Sequence, residues 1–271
     1  MSCLLRIATW RKALHKDDFT ILCMICLASF LCSCRGKSSS SGSSDAGVMV
    51  VVTSSWTAAY ASAAGAENIV ALAPFEMAHP SEYELRPGDI PKLTNAGLII
   101  YAGYEIMADR LKKGLDLPPE KLLRIETDYS YASMEKSIMQ IAARIGTESI
   151  AQENLLAIRR ILDEGRKALE EKRLTGQPVV AHRFHASLAK ELGLTPVLIF
   201  GPASPEASEF VTVSKTEAAF IIDNIHNPVG QPFKEILPNV RYVQLLNFPG
   251  QKGTKSLSDV IRYNLLQLTQ D

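Results

Sequence analysis

The sequence predicts an α/β fold: two lobes, each a parallel sheet covered by helices, joined by one long backbone helix, with a ligand cleft between the lobes. Three observations predict it. Apolar runs of strand length recur between helical segments with Gly/Pro punctuation, the pattern of strands buried on both faces. The rhythm breaks once, where Met134 to Ile145 and Glu148 to Leu174 are both helical in period with no strand-like run between them. After Gly176 the alternation resumes.

The chain of 271 residues opens with Arg6, Arg11, Lys12 and Lys16, followed by an apolar stretch from Phe19 to Leu31. At about 10 to 14 residues that stretch is too short to span a bilayer but suits the core of a signal peptide. It runs into Leu31-Cys32-Ser33-Cys34 and then Arg35-Gly36-Lys37. This string resembles the lipobox of bacterial lipoproteins, which implies removal of residues 1–33 and lipidation of Cys34. Residues 34–47 are then a tether rich in Ser and Gly, a composition that cannot bury apolar area. The competing reading of the start is a buried amphipathic helix. Cysteine usage favours the leader: Cys3, Cys23, Cys26 and Cys32 lie upstream of Cys34 and none follows it, so the rest of the chain has no disulfide and no thiolate metal site. The 29 Lys and Arg balance the 29 Asp and Glu, which leaves no basic field for nucleic acid or anionic lipid. Membrane attachment has to come from the acyl chains.

Residues 48–146 read as the first lobe. Strands are expected at Val48 to Thr53, Asn68 to Ala73, Leu98 to Tyr101 and Leu122 to Ile125, with a helix from Trp56 to Ala64. Pro87-Gly88-Asp89 opens a further helix with Ile90, Leu93 and Ala96 inward and Asp89 as its amino-terminal cap. Residues 147–175 form the linking helix, with Ala151, Leu155, Ile158, Leu162 and Leu169 on one apolar face and Asp163 and Lys167 paired at i,i+4 on a charged one. Residues 176–271 form the second lobe, with strands at Pro178 to Ala181, Val197 to Phe200, Ala218 to Asp223 and Tyr242 to Leu246, and a final helix from Ser256 to Leu268.

Leaving aside His15 in the leader, His79, His182, His185 and His226 each fall just after an expected strand. In open α/β sheets ligands sit beyond the carboxyl ends of the strands, so histidines from both halves are placed to face one cleft. Imidazoles with one carboxylate suit Zn²⁺, and also Mn²⁺ or Fe²⁺. Glu126, which ends a strand, and Glu82, in the loop of His79, are the candidate carboxylates.

The string HPSEYELRPGDIPKLTNAGLIIYAG, residues 79–103, and HRFHASLAKELGL, residues 182–194, resemble the zinc and manganese solute-binding proteins of ABC importers, and the likeness extends over nearly all of the chain after the leader. The resemblance implies one divalent ion, zinc or manganese, carried as cargo between two lobes held by a rigid helix. Three histidines and a carboxylate usually bind it in that family. It also implies delivery to an ABC permease and its ATPase, an extracytoplasmic monomer, and no catalysis. The family's first histidine falls here on Ser81, with His79 or Glu82 as its substitute; the second falls near Glu126. The third matches His182, and the final Asp falls on Asn247, with His226 as a replacement donor. The expected ligands are therefore His79, Glu126, His182 and His226, with Glu82, His185 and Asn247 as further cleft residues.

Three competing readings stay open. One keeps the fold with a metal chelate or small organic solute as cargo; another is a metal-dependent hydrolase using Glu82 or Glu126 as general base, although HExxH, GxSxG and P-loop strings are absent. The last is an adhesin or structural lipoprotein.

Overall fold

The computed structural model describes residues 47–114 and 116–270. The leader, Cys34 and all of the tether but Gly47 lie outside the described residues. Among those residues, no helix is long and apolar enough to cross a membrane.

The first half runs β1 (Val50–Val52), α1 (Ser55–Ala63), β2 (Ile69–Ala71), α2 (Ile90–Asn95), β3 (Leu98–Tyr101), α3 (Ala108–Lys113) and β4 (Leu122–Arg124). Two helices follow without a strand, α4 (Tyr131–Ile145) and α5 (Glu148–Glu171). The second half runs β5 (Pro178–His182), α6 (Ala186–Glu191), β6 (Thr195–Phe200), α7 (Ala207–Val213), β7 (Phe220–Asn224), α8 (Phe233–Ile236), β8 (Arg241–Leu245) and α9 (Leu257–Thr269). All strand pairs are parallel, in orders β2-β1-β3-β4 and β6-β5-β7-β8. The two sheets thus repeat one topology although the sequence shows no internal repeat, because strand order depends on the alternation of elements and not on residue identity. In each, the order reverses beside the first strand, which opens a crevice at its carboxyl end.

The inner strands β1, β3, β5 and β7 are covered on both faces, which is why they read as unbroken apolar runs, whereas the edge strand β6 leaves Val197 and Ile199 exposed. Val50, Val52 and Ile100 turn into one cluster that passes through Ile138, Leu155 and Leu162 to Val179, Ile222 and Ile261 of the second half. Val51 and Ile99, one residue out of phase, join a separate outer cluster, and Val180 and Ile221 do the same on the other sheet.

Helix α5 is the spine, 24 residues or about 36 Å long. Its expected apolar positions are all buried, together with Ile161 and Gly165. Gly165 permits close approach of α9, since a Cβ there would stand 2.4 Å from Leu265 Cδ2. The expected pair of Asp163 with Lys167 is corrected: Asp163 meets Arg166 at i,i+3. Arg166 is the hub because it also donates from Nε to the Glu191 carbonyl at 2.7 Å and from Nη2 to Glu191 Oε1 at 2.7 Å. The other oxygen, Glu191 Oε2, accepts from the Tyr131 N–H at 2.9 Å. One carboxylate therefore ties α6, the spine and the start of α4. At a second junction, Gly250 (φ +119°) leaves room for the Phe75 carbonyl, which a Cβ would approach to 2.3 Å.

Asp89 does not cap α2 as expected. Its carboxylate reaches back to accept from the Arg86 N–H and Tyr83 Oη, and it pairs with Lys92. That closes the 3₁₀ turn Pro87–Asp89, because two prolines, Pro87 and Pro91, shape the segment before a longer helix can start.

Candidate functional site

A cavity of about 300 Å³ lies where the carboxyl ends of both sheets meet. Segments that follow β1, β3, β5, β7 and β8 each deliver part of its wall. Ser54 and Trp56 follow β1, Tyr104 follows β3, Phe184 follows β5, His226 follows β7, and Phe248 follows β8. His79, Ser81, Asn224, Asn227 and Asn247 complete the polar lining.

Local chemistry fixes these positions. Ser54 caps α1 by accepting from the Thr57 N–H, and Thr57 Oγ1 in return accepts from the Ser54 N–H, so Trp56 is held in the first helical turn. The buried Glu105 carboxylate accepts from Thr53 Oγ1 at 2.6 Å and from the Ala102 and Gly103 N–H groups at 2.9 and 2.6 Å. That carboxylate joins the ends of β1 and β3 and presents Tyr104 at the rim. In the second half, buried Asp223 accepts from the Gly230 and Asn224 N–H groups and from Tyr242 Oη. The Asn224 amide oxygen in turn accepts from the His226 N–H at 3.3 Å. The sequence around His226 is thus folded over a carboxylate that is itself fully satisfied.

The wall is largely aromatic. Trp56 stacks with Tyr129 at 5.9 Å between ring centroids and tilts against Phe248 at 6.1 Å; Phe248 lies stacked on the His226 imidazole at 3.7 Å. Several polar atoms in and around this wall are buried without a hydrogen-bond partner: Trp56 Nε1, both His226 ring nitrogens and Asn247 Oδ1. The Asn247 amide lies near enough to the imidazole to act on it as a hydrogen-bonding neighbour, although no bond of full geometry joins them. Burial pushes the His226 pKa down to about 4, opposed by Asn247 and reinforced by His79. At neutral pH its imidazole is uncharged and keeps a lone pair.

The expected ligands divide. His79 and His226 line the cavity, as do Asn247 and Ser81. His182 does not. Its Nδ1 accepts from the Phe184 N–H at 3.3 Å, its ring packs edge-on against Phe200 at 5.5 Å, and its Cδ2–Nε2 edge lies against Gly201. Burial lowers its pKa to about 4, with Asp223 opposing and Arg183 adding. His185 sits in the interior, 6.3 Å from His182 between ring centroids, with its pKa pushed down to about 3 mainly by burial. Both histidines fill the ground behind the cavity because the strand-to-helix turn of β5 folds them inward. Glu126 is also outside the lining: its side chain is 60% exposed and pairs with Lys136 at 3.2 Å. Glu82 is exposed in the 3₁₀ turn Pro80–Glu82 and does not line the cavity. The four-ligand set is therefore not assembled as expected, and among the described residues no three His, Cys, Asp or Glu side chains gather where an ion would sit. A hydrolase general base from Glu82 or Glu126 has no place in this cavity either.

Sequence reasoning missed Trp56, Phe184 and Phe248 because it weighed only metal-ligating residue types at strand ends. The same strand-end rule, applied to aromatics, marks all three.

No family profile matches the chain, and no curated protein matches it in sequence. Solved structures do match in fold. The solute-binding protein FpvC of Pseudomonas aeruginosa, in complex with Ni²⁺, superimposes with a TM-score of 0.64 at 15% identity, covering 82% of this chain and 96% of that one. The Mn-bound periplasmic metal-binding protein of Candidatus Liberibacter asiaticus gives 0.61 at 16% identity, with 82% and 98% covered. The laminin-binding protein Lmb of Streptococcus agalactiae, described as having adhesin and metal-transporting activity, gives 0.62 at 14% identity, with 83% and 98% covered. At these identities the likeness establishes a shared two-lobed α/β fold.

Proposed function

We propose that this chain, built on the fold of the metal solute-binding proteins, is an extracytoplasmic receptor that captures a divalent metal as cargo and hands it to an ABC permease and its ATPase. The observation that carries this reading is the cavity between the carboxyl ends of two like sheets, where a buried, neutral His226 offers unpartnered ring nitrogens beside His79, Ser81 and Asn247. Imidazole is a good ligand for zinc, and a neutral one binds without first losing a proton. The structural neighbours, two of which hold Ni²⁺ and Mn²⁺, support the same class of cargo.

The remaining parts of the reading come from the sequence. Residues 1–33 are the signal peptide and Cys34 carries the lipid that ties a monomer to a bacterial membrane. Residues 48–146 and 176–271 are the lobes, and 147–175 the link between them. The spine and the Glu191 tie favour small shifts of loops and lobes over wide opening when cargo leaves.

Metal content of the detergent-solubilised chain, purified without chelator and measured by mass spectrometry, tests the reading. One equivalent of zinc or manganese in the parent, lost in His226→Ala and kept in Glu126→Ala, is the expected result. A parent chain with no metal that also fails to bind added metal, free or chelated, would sink it.

A further inference from the structure

The polar chemistry of the cavity is wrong for a bare ion. None of its lining residues is Asp or Glu. A divalent ion buried there would meet no compensating charge, a cost that isolated charges inside proteins do not sustain. The charge has to arrive with the cargo.

Trp56 sharpens the point. It is 5% exposed, lines the cavity, and its indole Nε1–H has no acceptor. An indole N–H is a donor only and cannot ligate a cation, so what takes it is an acceptor oxygen, of water in the cavity or of the cargo that displaces that water. A carboxylate or phenolate oxygen fits that requirement and a metal ion does not.

Size and wall agree. The cavity, about 300 Å³, far exceeds the roughly 10–15 Å³ that admits a single water and reaches the lower bound, about 300 Å³, of organic-ligand pockets. Its aromatic walls include Trp56, Phe184 and Phe248, surfaces on which a flat ring stacks. His226, seated face-down on Phe248 at the cavity wall, keeps both ring nitrogens buried without hydrogen-bond partners.

We infer that the cargo is a divalent metal already held by a flat, anionic heteroaromatic chelator, an inference that rests on the receptor reading above. The chelator's ring lies between the aromatic walls, one of its anionic oxygens accepts from Trp56 Nε1–H, and a His226 nitrogen displaces one water from the metal. No electron moves and no covalent bond of the chelator breaks.

Calorimetry on the detergent-solubilised chain tests this with four probes: zinc chloride, pyridine-2-carboxylate, pyridine-2,6-dicarboxylate and the 1:1 zinc complex of the latter. The complex is expected to bind at least about tenfold more tightly than zinc or either free chelator. Trp56→Phe, which keeps a ring, should weaken the complex by about tenfold, the loss expected for one hydrogen bond to a charged acceptor. Zinc chloride binding as tightly as the complex would overturn the inference and leave the receptor reading standing. Free chelator binding as tightly as the complex would overturn the metal part of both. Binding of none of the probes would overturn the inference, and the metal-content measurement then decides the receptor reading separately. The comparison of probes on the unaltered chain stands even if a variant fails to fold.

Discussion

Removing the Glu191 carboxylate should loosen three helices at once. Its two oxygens and its backbone carbonyl engage Arg166 of the spine and the first N–H of α4, at 2.7 to 2.9 Å. In Glu191→Ala the backbone bond to Arg166 survives, but two charge-assisted contacts go. Each such bond is worth about 1.5–3 kcal/mol when well buried. Arg166 is 35% exposed and Glu191 17%, so water replaces part of what is lost, and the pair lies between a surface and a buried salt bridge. A net loss of about 2 kcal/mol follows, of which about 1 kcal/mol belongs to the Arg166 pairing and the rest to the uncapped Tyr131 N–H. For a chain of this size that lowers the melting midpoint by about 4–8 °C. Urea unfolding of Glu191→Ala, Arg166→Met and the double variant separates the parts as a double-mutant cycle. Glu191→Gln, which keeps an acceptor for Tyr131, should lose about half as much. A loss below about 0.5 kcal/mol for Glu191→Ala, or strict additivity of the two single changes, would refute the clamp.

Gly201→Ala places a Cβ 2.5 Å from both Cδ2 and Nε2 of His182 at a φ of +78°, so left-handed strain and overpacking together should cost about 2–4 kcal/mol in urea unfolding; a neutral result would mean that His182 is not held where described. Glu105→Ala removes the acceptor of Thr53, Ala102 and Gly103 in a buried setting and should destabilise by about 3 kcal/mol, whereas unchanged stability would deny that Glu105 ties β1 to β3. Stability should also fall in acid. Burial lowers the folded pKa of His185 to about 3 and of His182 to about 4. The unfolded chain, with histidines near 6.5, therefore binds protons first, and their contribution is full above pH 6.5 and is lost as pH falls toward 4. The slope is at most about 1.4 kcal/mol per pH unit for each histidine, and a urea midpoint unchanged between pH 7 and 5 would contradict it.

The inner strands were legible because both of their faces are covered, so the runs around Val50, Ile99, Val180 and Ile221 are apolar without alternation. The spine was legible from its length and its single apolar face. The short helices α3, α7 and α8 were not, since four to seven residues hold too little of the 3.6-residue period to stand out. For the site, strand-end placement marked His79 and His226, and the resemblance marked Asn247, all three of which line one cavity. It failed for His182 because position after a strand fixes where a Cα lies, while the turn decides which way the ring goes. Glu126 failed for a similar reason: at the end of a strand on the sheet's edge, Lys136 and water solvate it more cheaply than a cavity would.

The placement of Trp56 has an optical consequence. The sequence holds two tryptophans, and the other, Trp10, lies in the leader proposed to be removed. After that cleavage the chain's red-edge emission comes from one indole, in contact with Tyr129 and Phe248 and with its N–H facing no protein acceptor. Excited indole is sensitive to the hydrogen bonding and polarity at that nitrogen. The indole that lines the cavity is then also the one red-edge emitter that reports on it, and each capture and release should be visible in wavelength and lifetime without a label.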